Sequence, residues 1–181
     1  MSQARQRLSN DHHAVSEVLK QLLTALDNKD VQTSYSKLDL LWARLAVHIR
    51  AEHLHLFPAV IGRLTATVDA PVASDLTEAQ SMIENLRSDH DFFMRELAQA
   101  IGVLRELPKH DVAKLGAVGN TVREVEKRLA THNEIEENQI YHWASTILTE
   151  PEQTDLAARI NAELENRPPR FSVEDWVNQQ Q

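Results

Sequence analysis

Cysteine is absent from this chain of 181 residues, which removes disulfides, iron–sulfur clusters and thiolate zinc sites from consideration. Only 4 glycines and 6 prolines occur, and runs of β-branched residues are rare, so the composition favours helix over sheet. No cluster of lysine or arginine stands against the formal net charge of −8, which argues against nucleic acid or an anionic membrane as a partner. No window approaches the ~18 consecutive apolar residues that a bilayer span requires. The first residues, MSQARQRLSNDHH, also lack the apolar core of a secretory signal. Together with the missing cysteines, this leads to the expectation of a cytoplasmic protein. What the chain does have is 42% hydrophobic residues, enough for a single sizeable core.

Those residues fall into helical stripes. Leu8, His12, Val15, Leu19, Leu22 and Leu26 alternate by four and three, as do Leu38, Leu41, Leu45, His48, Glu52 and Leu56. Leu86, His90, Phe93, Leu97, Ile101 and Leu104 make a third stripe. The fourth and longest runs from Leu115 through Val122, Leu129, His132, Glu136 and Ile140 to Ile147. Breaks are expected at Asp27–Asp30, after Leu56-Phe57 at Pro58, at Asp69-Ala70-Pro71, and at Pro108–Asp111. Ser74-Asp75 reads as an N-cap, with Glu78 closing a capping box. Short connections between four stripes predict an all-α, up-down-up-down four-helix bundle over residues 1–150. An extra C-terminal helix and a tail, residues 151–181, follow, with Phe171 and Trp176 expected to dock on the bundle.

Histidine and glutamate occupy positions in these stripes where leucine or valine would be expected, an uncommon place for groups that are costly to bury unpaired. They recur as a doubled pattern. Asp11-His12 and His48-x-x-x-Glu52 in the first half correspond to Asp89-His90 and His132-x-x-x-Glu136 in the second. The offset is 78 residues for the first histidine of each set and 84 for the second. In antiparallel hairpins, residues equidistant from a turn share a height. The midpoints of successive histidine pairs are 30, 69 and 111, all on expected turns, so His12, His48, Glu52, His90, His132 and Glu136 should meet in one layer. Two carboxylates can bridge two metal ions with two imidazoles on each. Without thiolates the set suits Fe, Mn, Zn or Cu, and positions remain open for oxo, hydroxo, water or a diatomic ligand. Val15, Leu45, Phe93 and Leu129, about one turn away, should line an apolar pocket that admits O2 or NO.

The segments DHHAV, HIRAEHLHLFP, DHDFF and HNEIEENQIYHW resemble the hemerythrin-like HHE cation-binding family over roughly residues 8–147. The resemblance implies a four-helix bundle with a non-haem di-iron centre, two Fe ions joined by an oxo or hydroxo bridge, with Zn or Mn as substitutes. By position it implies His12, His48, Glu52, His90, His132 and Glu136 as metal ligands. Oxygen-carrying members have a further histidine where this chain has Met94, and an aspartate five residues after the fourth-helix histidine, where this chain has Glu136 four after. The four-histidine, two-glutamate set is more similar to members linked to iron–sulfur repair, nitrosative stress or iron sensing, although their cysteine-containing N-terminal region is absent.

Three functions are weighed. The first is a di-iron protein that senses or binds O2, NO or peroxide, or handles iron. The second is an enzyme reducing NO or peroxide, or aiding iron–sulfur repair, with electrons from a partner because no GxGxxG motif is present. The third is a helical interaction module with a structural metal. The first is favoured, and the sequence leaves the oligomeric state open. Asp11 and Asp89 are read as hydrogen-bond acceptors behind the ligands. His13 is read as lying off the stripe. His53 and His55 are read as pointing outward or towards a neighbour, with an accessory role kept open for His53. His110 and His142 are assigned to the surface, and Glu134 and Glu137 to a solvated face.

Overall fold

The computed structural model describes residues 3–66, 72–107 and 112–177, and every regular element among them is helical. α1 (Gln3–Asp27) and α2 (Val31–Ala51) are followed by a π turn at Glu52–Leu56 and by α3 (Phe57–Ala66). α4 (Val72–Arg105) and α5 (Val112–Ile135) are followed by a second π turn at Glu136–Ile140 and by α6 (Tyr141–Ile147). α7 (Glu150–Leu164) and the short α8 (Val173–Val177) follow. The result is an all-α bundle of four rods: α1, α2 running into α3, α4, and α5 running into α6. Each rod packs on the next, and α5 closes back on α1. The leucines, valines and phenylalanines of the four stripes fill one continuous core. Each such side chain removed from water contributes about 1.5–3 kcal/mol before chain entropy is counted.

Local chemistry explains the sharpest turn. Asp30 caps α2, its carboxylate accepting from the Thr33 N–H at 3.0 Å and from the Thr33 hydroxyl at 2.7 Å. Ahead of it Lys29 adopts φ 59°, the left-handed conformation that ends a helix and that favours glycine. Asp30 N–H donates back to the Ala25 carbonyl at 2.9 Å. Lys29→Gly is therefore expected to raise stability by about 1 kcal/mol, read as a higher urea midpoint at unchanged slope.

Two local expectations are corrected. Pro58 does not stop the helix: it stands directly after the π turn, where the i→i−4 ladder is already interrupted, and the rod runs on into α3. α4 is already under way at Val72, so Ser74-Asp75 lies inside it and not ahead of it. The expected turns at Asp69–Pro71 and Pro108–Asp111, and His110, lie outside the described residues.

The two halves are covered unequally. α7 lies in the groove formed by α1 and the end of α2, burying Leu156, Ala157, Ile160 and Leu164. Trp176 closes this side, its indole N–H donating to the Leu164 carbonyl at 3.2 Å. The corresponding groove of the second half, between α4 and the end of α5, is an open cavity of about 800 Å³ lined by Met82, Leu86, Asp89 and Ile135. Among the described residues, no helix is long and apolar enough to cross a membrane.

Candidate metal centre

All six ligand-type residues singled out in the sequence are buried and meet in the middle of the bundle. They form two groups that share both carboxylates: His12, His48, Glu52 and Glu136, then His90, His132, Glu52 and Glu136. Within the first group, His12 Nε2 lies 3.1 Å from His48 Nε2 and 3.3 Å from Glu136 Oε2. His48 Nε2 lies 3.3 Å from Glu52 Oε1. Within the second, His90 Nε2 lies 3.0 Å from His132 Nε2 and 3.4 Å from Glu52 Oε2, and His132 Nε2 lies 3.1 Å from Glu136 Oε1. Each carboxylate therefore turns one oxygen to each group.

The outward nitrogen of every imidazole is engaged. His48 Nδ1 faces Asp11 Oδ2 at 2.9 Å, and His132 Nδ1 faces Asp89 Oδ2 at 3.2 Å. Thus each aspartate serves the histidine of the facing helix and not its sequence neighbour. His12 Nδ1 faces Glu137 Oε1 at 2.9 Å, and His90 Nδ1 faces His53 Nε2 at 2.9 Å. Donation from Nδ1 to these acceptors fixes one tautomer and turns four Nε2 lone pairs inward.

Glu137 and His53 depart from the sequence-based expectation, which is a solvated face for the first and an outward or neighbour-facing position for the second. Both stand one residue after a group glutamate, at the 84-residue offset, and the wider π turn carries them toward the centre. His13 and His142 are exposed, and His55 is half-buried, 3.9 Å from Glu163.

Arginines hold the aspartates in turn. Arg44, almost wholly buried, donates to Asp11 Oδ1 at 2.8 Å and to the Trp176 carbonyl, with its guanidinium 5.0 Å from the Trp176 ring centre. Its counterpart Arg128 donates to Asp89 Oδ1 at 2.7 Å and lies over Phe92 at 4.3 Å. Arg128 is 42% exposed against 1% for Arg44, because among the described residues no helix lies over the second half as α7 lies over the first. Asp89→Ala is expected to weaken metal binding roughly 10–100-fold by freeing the His132 ring, measured by competition with a chelator.

Electrostatics follow the same geometry. Burial alone would push the Asp11 carboxyl up, but the hydrogen bond and charge of His48 and the charge of Arg44 prevail and hold it at about 2. Burial would likewise lower His12, His48 and His132, yet the surrounding carboxylates raise all three, His48 furthest. Glu136 is pushed up by burial but drawn well below the usual carboxylate range by His132, His12 and His90. His53 is lowered by burial and by the neighbouring His90 and Arg87.

Tyr141, which no sequence pattern singles out, completes the layer. It is fully buried, and its hydroxyl donates to Glu52 Oε1 at 2.9 Å and lies 3.1 Å from His12 Nε2. Burial and the charges of Glu136 and Glu52 raise its pKa well above that of a free phenol, so it holds its proton there. Phe57 is its counterpart in the first half, stacked on His90 with ring centres 6.2 Å apart. Phe93 meets His132 edge-on at 5.3 Å. Beside the four imidazoles a small cavity of about 10 Å³ is walled by Val15, Leu45, Ile49, Phe93, Leu129 and Asn133.

The donor set fits a cation pair on its own terms. Glu52 Oε2 and Glu136 Oε1 are buried without a hydrogen-bond partner, and both face the His90–His132 group. Four converging Nε2 lone pairs and orphaned carboxylate oxygens in a dry core are costly unless positive charge lies among them.

Comparison with known families agrees. The model of the hemerythrin HHE cation-binding domain matches residues 3–144. The chain belongs to that family. No curated protein and no solved structure matches it. Family membership and the buried histidine–glutamate groups together make this a metal-binding helical bundle of the hemerythrin family.

Proposed function

We propose that the protein holds two iron ions, one at His12 and His48 and one at His90 and His132, with Glu52 and Glu136 bridging them. Its role on this reading is to bind or sense a small ligand, O2, NO or peroxide. The observation that carries the proposal is the division of labour in the carboxylates, each presenting one oxygen to each histidine pair. Bound iron would supply open coordination positions and one-electron redox chemistry.

The rest of the task falls to the chain. Asp11, Asp89, Glu137 and His53 set the imidazole planes. Val15, Leu45, Phe93 and Leu129 exclude bulk water and leave a cavity of about 10 Å³, room for a diatomic molecule or a water and too little for a charged metabolite. Asn133, whose Oδ1 is buried and unpartnered, provides the polar part of that wall. Zn or Mn would satisfy much of the same donor set.

The test is to mix the reduced, iron-loaded protein, prepared anaerobically, with NO, and separately with peroxide and with O2, by stopped flow. Saturation near one equivalent per centre supports a binding or sensing role, whereas sustained consumption with an electron donor present would replace it with an enzyme. No reaction with O2, NO or peroxide would contradict both.

A further inference from the structure

The two ion positions are not chemically equivalent. At the 84-residue offset, the chain repeats Arg44 as Arg128, His48 as His132, Glu52 as Glu136 and Leu56 as Ile140, but Phe57 returns as Tyr141. Both aromatic residues sit at the end of a π turn, where their N–H donates to the carbonyl of the group glutamate five residues earlier. The π turn is what brings residue i+5 back over the glutamate, since in an α-helix it would lie well round the cylinder. Position 141 therefore delivers an aromatic ring, and one oxygen atom, into the layer.

That oxygen touches donor atoms of one group alone. Tyr141 Oη lies 3.1 Å from His12 Nε2, 2.9 Å from Glu52 Oε1 and 3.5 Å from Glu136 Oε2. Glu52 Oε1 and Glu136 Oε2 are the two oxygens that face His48 and His12. The partner oxygens, Glu52 Oε2 and Glu136 Oε1, face the other histidine pair, where the ring is Phe57, and both are unpartnered. All three hydrogen-bond contacts of the hydroxyl thus fall on donor atoms of the His12–His48 group.

We propose that Tyr141 is a seventh ligand, placing its oxygen on the ferric ion held by His12 and His48 and leaving the ion held by His90 and His132 with no counterpart. With a ferric ion bound there, the phenol would exchange its O–H bond for an O–Fe bond and release its proton to solvent, with no change in the oxidation state of iron. The His90–His132 group, where Phe57 brings no oxygen, would then be the one left open to a small ligand. This inference rests on the di-iron reading above.

The sequence contains two tyrosines, which makes the test clean. Tyr35 is half-buried and belongs to a separate surface cavity with Asp39 and Trp42. The full-length protein is loaded with iron in air, its iron counted, and its visible absorption and resonance Raman spectra recorded. Wild type and Tyr35→Phe are expected to show a phenolate-to-iron charge-transfer band with tyrosinate vibrations. Tyr141→Phe is expected to keep about two irons per chain and to lose the band entirely. Should Tyr141→Phe not fold, persistence of the band in Tyr35→Phe assigns it to Tyr141. Wild-type protein with two irons and no such band overturns the ligand role while leaving the di-iron reading intact. A band that survives in Tyr141→Phe also overturns it, and failure to bind iron at all removes both.

Discussion

Glu52→Gln and Glu136→Gln are each expected to reduce bound iron from about two per chain to well below one, whereas His48→Ala and His132→Ala should each leave about one. The difference follows from sharing. Each glutamate belongs to both donor groups, while each histidine belongs to one. A glutamine keeps the size and one acceptor oxygen but removes the charge that offsets two cations in a buried site. His13→Ala and His142→Ala, both at exposed positions, should leave the count unchanged. Metal analysis after gel filtration, at fixed protein concentration and pH, reads the result directly. Equal losses in all four ligand variants would indicate a single site, and no loss in the glutamate variants would remove the bridge.

Arg44→Ala should destabilise the fold by about 3–5 kcal/mol, the usual consequence of deleting one member of a buried ion pair. Three interactions of the guanidinium set the size of the effect. These are the charged hydrogen bond to Asp11, the bond to the Trp176 carbonyl and the stacking on the Trp176 indole. In a chain of this length the melting temperature should fall by roughly 6–20 °C. Arg44→Lys should recover little, because one ammonium does not reproduce a planar fork with two acceptors. Arg128→Ala, at the exposed counterpart, should cost about 1 kcal/mol or less, so the pair of variants measures what α7 and Trp176 contribute by covering one half.

The pH dependence has a definite sign. The Asp11 carboxyl is held at about 2 in the folded protein against 3.8 ordinarily. A depressed carboxyl stabilises the fold fully above about pH 4 and loses that contribution as the pH falls through 2. The gap between wild type and Arg44→Ala should accordingly narrow only in strong acid.

Much of this layer is legible in the sequence because two periodicities coincide there. The 3.6-residue stripe places His12, His48, His90 and His132 on the inner faces, and the doubled pattern puts them at one height. The pocket wall of Val15, Leu45, Phe93 and Leu129 follows from the same helical count. The π turns escape because hydrophobic spacing registers three- and four-residue steps, and one five-residue hydrogen bond leaves Leu56 and Ile140 buried all the same. With the π turns goes what they turn inward: His53, Glu137 and Tyr141. A signal is present in the 84-residue offset, which pairs Phe57 with Tyr141 and His53 with Glu137, but a register between halves is silent about which way a helix face turns. Arg44 is hidden for another reason. Its partners Asp11 and Trp176 are 33 and 132 residues away, and only tertiary packing brings them together.

The most direct measurement is a crystallographic anomalous-difference map, collected at the iron edge from iron-loaded protein. The account predicts two peaks inside the bundle, one beside His12 and His48 and one beside His90 and His132, with the Glu52 and Glu136 carboxylates spanning both. A single peak, or iron bound anywhere else while these six side chains stay free of it, would contradict it.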